Sequence, residues 1–245
     1  MSILMLVLAM NLSSEPGTHE VHLVHGWNIR VEKKLLEEHP QLAQKALELA
    51  SIQLGDLAWV LPPRRVEELR QVEIVLDFDR PGLKNLQYHP SRGWLKNNGH
   101  AENLALCVHI PQAQSYVNLK RSNTQPWVML HELAHAWHHQ YLGFDHSEIE
   151  SAYSKAVEAG KYEKVMHING HMTRHYALTN AKEYFAEGCE SYFGTNDFYP
   201  FVKPQLKEHD PLLFGIIEKL WNVGCKGVET STGPKMHFFR ELRGA

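Results

Sequence analysis

The stretch "WVMLHELAHAWHHQYLG", residues 127–143, sets four histidines and one glutamate in a run that otherwise reads as the inside of a helix. Met129, Leu130, Leu133, Ala134 and Trp137 recur at helical spacing and supply an apolar side. His131, Glu132 and His135 form H-E-x-x-H. On a helix, residues four apart differ by about 40° around the axis, so both imidazoles leave one face a turn apart. That spacing lets two nitrogens reach one zinc ion at about 2.0–2.1 Å. Glu132 stands roughly 100° round from His131, beside the metal rather than on it, where it can take a proton from water. His135 and His139 are also four apart, but Ala136 leaves that pair without a base. His138 and His139 therefore read as surface or supporting residues.

Two histidines do not make a catalytic site, which needs a third protein ligand and an open position. The extended H-E-x-x-H-x-x-G-x-x-H pattern fails, because the last two positions are His138 and Tyr141. The strongest donor segment is "TNAKEYFAEGCESYFG" (179–194). There Glu183, Glu187 and Glu190 fall at i, i+4 and i+7 on a helix filled by Tyr184, Phe185, Tyr192 and Phe193. An acidic stripe is ordinarily a solvated face, but the aromatic flanks and the H-E-x-x-H helix favour ligation. A second candidate is Asp197 in "GTNDFY" (194–199), which resembles the G-T-x-D-x-x-Y-G segment of aspzincins. Its tyrosine falls one place early and Pro200 intervenes. A histidine-rich carrier would instead use His167, His171 and His175, although Asn169-Gly170 breaks the helix their spacing would need.

"YALTNAKEYFAE" resembles the zinc-site helix of the catalytic domain of anthrax toxin lethal factor and its relatives. In those proteins a Tyr precedes a T-N-x-x-E-[FY]-F-A-E run that follows an H-E-x-x-H helix. The similarity covers both motifs and extends diffusely over roughly residues 20–222. The sequence also resembles stand-alone bacterial chains of the metallopeptidase type, where "QPWVMLHELAHAWHHQYLGFD" and "YFGTNDFYPF" have counterparts. Carried over, the resemblance implies Glu183 as third zinc ligand, Glu187 as an outer carboxylate orienting a ligand histidine, and Tyr176 as a tyrosine that assists catalysis. The toxin's receptor-binding and substrate-docking regions have no counterpart, so neither toxicity nor its targets transfer.

Composition bounds the rest. At 245 residues, 43% hydrophobic and 22% charged, the chain is long enough for a sizeable core and ordinary for a globular protein. A net charge of −3 gives no footprint for nucleic acid. Cys107, Cys189 and Cys225 are too scattered for a disulfide framework or a cysteine zinc site. "MSILMLVLAM" (1–10) is too short to span a bilayer. It reads either as a fragment of a signal peptide, pointing to secretion, or as a mis-assigned start of a cytoplasmic chain. No stable membrane insertion is expected.

Along the chain, "VHLVHGWNIRVE" reads as a hairpin, and the helical pattern after it is interrupted at Pro40. "VEIVLDF" (72–78) and "LALCVHI" (104–110) read as strands, with mostly loop between them. Helices follow in 127–143, in "HSEIESAYSKAVEAG", in the Glu183 segment (capped at Thr179 or Asn180, ending at Gly194) and in "PLLFGIIEKLWN". Asn169-Gly170 marks a hairpin. The expected architecture is α+β, a zincin-like fold with a small mixed sheet packed on the H-E-x-x-H helix. The expected organisation is an N-terminal segment 1–18, one domain over 19–222 (an α/β region 19–124 and a zinc-site helical region 125–222) and a tail 223–245. The expected function is a metallopeptidase with one zinc per chain on His131, His135 and Glu183; the alternatives are a non-catalytic zinc-binding protein on the zincin scaffold and an aspzincin-like peptidase with Asp197 as third ligand. Glu132 would be the general base and the Tyr176 hydroxyl the oxyanion donor, with a peptide or protein substrate laid along "LALCVHI" as an edge strand.

Overall fold

The computed structural model describes residues 17–122 and 124–223. The N-terminal apolar run, Cys225 and nearly all of the expected tail lie outside the described residues. The fold is mixed α+β. β1 (His19–Val24) and β2 (Trp27–Glu32) form the hairpin expected from the alternation, turning through Gly26 at φ +90°. The chain continues through α1 (Lys33–Glu38) and α2 (Pro40–Val60), with Pro40 in the first turn of α2, where its missing N–H costs nothing. α3 (Pro63–Leu69) leads to β3 (Ile74–Leu76). β4 (Gln87–Tyr88) and α4 (Arg92–Asn97) precede β5 (Val108–Ile110), and α5 (Ala113–Ser122) follows.

The second half is almost entirely helical. α6 (Val128–Trp137) runs into a π-helical turn at 138–142, then α7 (Ser147–Glu158). β6 (Val165–Met166) and β7 (Met172–Thr173) make the small Asn169-Gly170 hairpin, with Gly170 at φ +86°. α8 (Ala181–Phe193), α9 (Lys203–His209) and α10 (Pro211–Trp221) complete the fold.

The main sheet has the order β1-β2-β3-β5-β4, with β2, β3 and β5 parallel and the two outer strands antiparallel. Ile29, Val31, Ile74, Leu76, Val108 and Ile110 face one core, which continues through α6 and α8 to Trp221. Val75, with Leu95, Leu104 and Cys107, forms a smaller cluster under the segment that carries α4.

Two expectations need correction. β5 is an inner strand, so "LALCVHI" offers no free edge; the edge on that side of the sheet is β4. The strand is also shorter than its apolar run, because Leu106 adopts φ +65° and breaks the extended chain before Val108. The stretch between the strands is mostly loop, as expected, and also holds β4 and α4. Helices α3, α5 and α9 had no clear signature, since each buries only one to three side chains, such as Leu206 alone in α9.

Candidate metal centre

All ten residues of α6 are buried, so its histidines are held by packing on every side. α8 lies across it. The Asn180 side chain caps α8, accepting from the backbone N–H groups of Lys182 and Glu183 at 2.9 and 3.1 Å. This cap fixes the first turn, and with it the Glu183 carboxylate. At the other end Gly194 closes α8; an added Cβ there would stand 2.1 Å from the Trp127 indole. The start of α6 is thus packed directly on the end of α8, and glycine is what permits the approach.

Between the helices, His131 Nε2, His135 Nε2 and Glu183 Oε2 stand 3.0 Å from one another. Ligands at about 2.0–2.1 Å around a tetrahedral ion are about 3.3–3.4 Å apart, so the triangle fits a zinc-sized ion after a small expansion. His131 Nδ1 is hydrogen-bonded to Glu190 Oε1 at 2.7 Å. A hydrogen on Nδ1 leaves the Nε2 lone pair facing the other two donors. Glu187 Oε1 is 3.6 Å from the same Nδ1, and Glu187 Oε2 instead accepts from Asn196 Nδ2 at 2.6 Å. Glu190, not Glu187, therefore makes the bond to His131. The i+7 spacing carried that signal, since residues seven apart share a helix face. Among the described residues, two groups bring metal-ligating atoms together: His131–His135–Glu183 and His131–Glu187–Glu190.

The electrostatics follow from this crowding. Burial lowers the His131 pKa, but the carboxylates of Glu183 and Glu190 outweigh it and hold it well above the ordinary value. Burial raises Glu183, yet hydrogen bonds with His131 and His135 reverse this and hold its carboxyl well below the usual range. Burial pushes Glu187 and Glu190 upward, each reinforced by a neighbouring acid. Glu132 is also raised by burial, which the positive ends of His131 and His135 only partly offset.

Glu132 Oε2 accepts a 2.7 Å hydrogen bond from the Tyr88 backbone N–H on β4. Tyr88 pairs with β5 such that this N–H points off the sheet edge, so the base is tied to the edge strand and the edge is capped there. Tyr176 opens a 3-10 turn before α8 and is half exposed, its ring centroid 6.4 Å from that of His131. Burial and the nearby Glu183 raise its phenol pKa.

The other histidines do not join the cluster. His138 is fully buried between Phe144 and Phe185, and neither ring nitrogen has a hydrogen-bond partner among the described residues; it is not a surface residue. His139 is partly exposed, stacked on Phe144, with Nδ1 2.8 Å from the Tyr88 hydroxyl. His167 stacks on His171, while His175 lies buried against Phe198, so the three do not converge. Asp197 is buried beside His167, 3.7 Å from its Nε2, and belongs to neither metal-ligating group. Cys107 and Cys189 are buried free thiols. No helix among the described residues is long and apolar enough to cross a membrane. Comparisons with protein-family models, with curated proteins and with solved structures give no match.

Proposed function

We propose that the chain is a zincin-like peptidase that holds one zinc ion on His131, His135 and Glu183. The observation that carries this reading is the 3.0 Å triangle of two imidazole nitrogens and one carboxylate oxygen, with a second carboxylate, Glu132, on the same helix beside it. Held there, zinc would supply the Lewis acidity that makes water ionise near neutrality and polarises a carbonyl. Glu132 would accept a proton from water and deliver it to the departing amine. Glu190 keeps His131 in the tautomer that a metal needs. The Tyr176 phenol, kept protonated, donates toward the oxyanion that develops on the scissile carbonyl. The resemblance to the lethal factor catalytic domain supports the same assignment.

The test combines metal analysis with peptide cleavage. Purified chain is expected to bind one zinc; Glu183→Ala loses it and Asp197→Ala keeps it. Glu132→Gln is expected to retain zinc and lose cleavage by orders of magnitude. Zinc lost from Asp197→Ala but kept by Glu183→Ala would reverse the ligand assignment.

A further inference from the structure

Around the candidate metal centre, charge is distributed unevenly. Behind His131 lie the acids Glu187, Glu190 and Asp197, all buried. Where α6 leaves the site the character is reversed. His139 lies one turn beyond His135, and Lys182 immediately precedes Glu183. Both converge on Phe144: the Lys182 ammonium stands 4.4 Å from its ring centroid and the His139 ring 4.7 Å from it. His138 and His146 add further imidazoles to the same corner. Among the described residues neither Lys182 nor His139 forms an ion pair with a carboxylate, although His131 and His135 both do.

The hydrogen bonds around Tyr88 bear on what His139 offers. Gln140 Nε2 donates to the Tyr88 hydroxyl oxygen at 3.1 Å. The Tyr88 O–H is free to donate to Nδ1 of His139, 2.8 Å away. A neutral His139 that accepts there carries its hydrogen on Nε2, and a protonated one carries hydrogens on both nitrogens, so in both of these states Nε2 is a donor. The corner therefore presents one ammonium and one N–H donor against a partly buried aromatic ring, neither ion-paired with a carboxylate among the described residues. Tyr88 ties it to the metal centre, because its backbone N–H holds Glu132.

The geometry points to Lys182 and His139 as a carboxylate-recognition corner beside the metal site, selecting peptides that place an acidic side chain, or a free C-terminal carboxylate, next to the scissile bond. Cleavage beside the bound carboxylate rests on the peptidase reading; the binding itself does not. Two donors converging on one carboxylate are worth about tenfold in affinity when one is charged.

The test is a fluorescence-anisotropy titration of the full chain carrying Glu132→Gln and loaded with one equivalent of zinc. The probes are labelled Ala-rich decapeptides in Glu/Gln pairs scanned through the sequence, each with free or amidated C-terminus. About tenfold tighter binding of Glu over its Gln twin at one position is expected, or of free over amidated ends if the carboxylate is terminal. Lys182→Met or His139→Gln should bring that ratio toward one, and Lys182→Arg should restore most of it. Equal binding within all pairs, no peptide binding at all, or undiminished discrimination in Lys182→Met would overturn the corner. Discrimination that survives alongside a failure of the zinc-loaded natural chain to cleave any peptide would sink the peptidase reading and leave the corner standing.

Discussion

His138→Leu tests how the helix that carries the metal ligands is packed. His138 is wholly buried in T-shaped contact with Phe144 and Phe185, both ring nitrogens without a partner among the described residues. Leaving a polar group buried without a partner costs about 1–3 kcal/mol, while the aromatic contacts return about 0.5–1.5 kcal/mol. Leucine fills similar space without that cost, so at pH 7 the variant should be about 1 kcal/mol more stable. Lower pH enlarges the gap. Burial, with His135 and other basic neighbours, lowers the His138 pKa from 6.5 to about 3. The unfolded chain therefore binds a proton below pH 6.5 that the folded chain refuses until about pH 3, and stability is lost as pH falls through that window. At pH 5 this amounts to about 1.5 pH units, or about 2 kcal/mol at 1.36 kcal/mol per unit. The buried carboxylates titrate in both proteins and cancel in the difference. Urea denaturation of wild type and variant at pH 7, 6 and 5 reads it directly. A variant less stable at pH 7, or a gap that does not grow on acidification, would refute the account of an unpaired neutral imidazole.

Other outcomes follow from the same geometry. Glu190→Gln removes the charge behind His131 and should weaken zinc binding by about 10–100-fold, whereas Glu187→Gln should weaken it less; competition with a fluorescent chelator measures both, and the reverse order would return the orienting role to Glu187. The same Glu190→Gln change relieves repulsion between buried acids, so the metal-free protein should melt no lower than wild type in calorimetry. Tyr176→Phe should keep its zinc and lose about 10²–10³-fold in kcat with KM little changed; a rise in KM alone would remove the oxyanion role. Gly194→Ala forces a Cβ into Trp127 and should cost about 1–3 kcal/mol in denaturant unfolding; an unchanged midpoint would mean that the α6–α8 junction is loose.

Much of the site could be read in the sequence because it is built from local spacing. H-E-x-x-H needs only one helical turn to bring His131 and His135 together, and the i, i+4, i+7 acids share a face once α8 forms. The Asn180 cap, the Gly194 terminus and the Asn169-Gly170 hairpin were equally local. What failed was long-range or geometrical. The place of β5 in the sheet depends on a very short strand, β4, which leaves no pattern of its own. The sequence left His138 as either a surface or a supporting residue, because nothing local shows that Phe144 and Phe185 close over it from two other elements. Choosing between Glu187 and Glu190 required side-chain directions: Asn196 engages Glu187 and leaves Glu190 to His131.

The bond between the Tyr88 N–H and Glu132 has a consequence for how the sequence could drift. The donor is backbone, so every amino acid except proline supplies it, and the residue type at position 88 carries no record of its duty to the base. Side chains could come and go there while Glu132 stayed anchored. The hydroxyl of Tyr88, by contrast, answers to His139 and Gln140. Replacing Tyr88 by Phe would thus separate the tasks that one residue now combines, leaving the base held and the corner around His139 without its anchor.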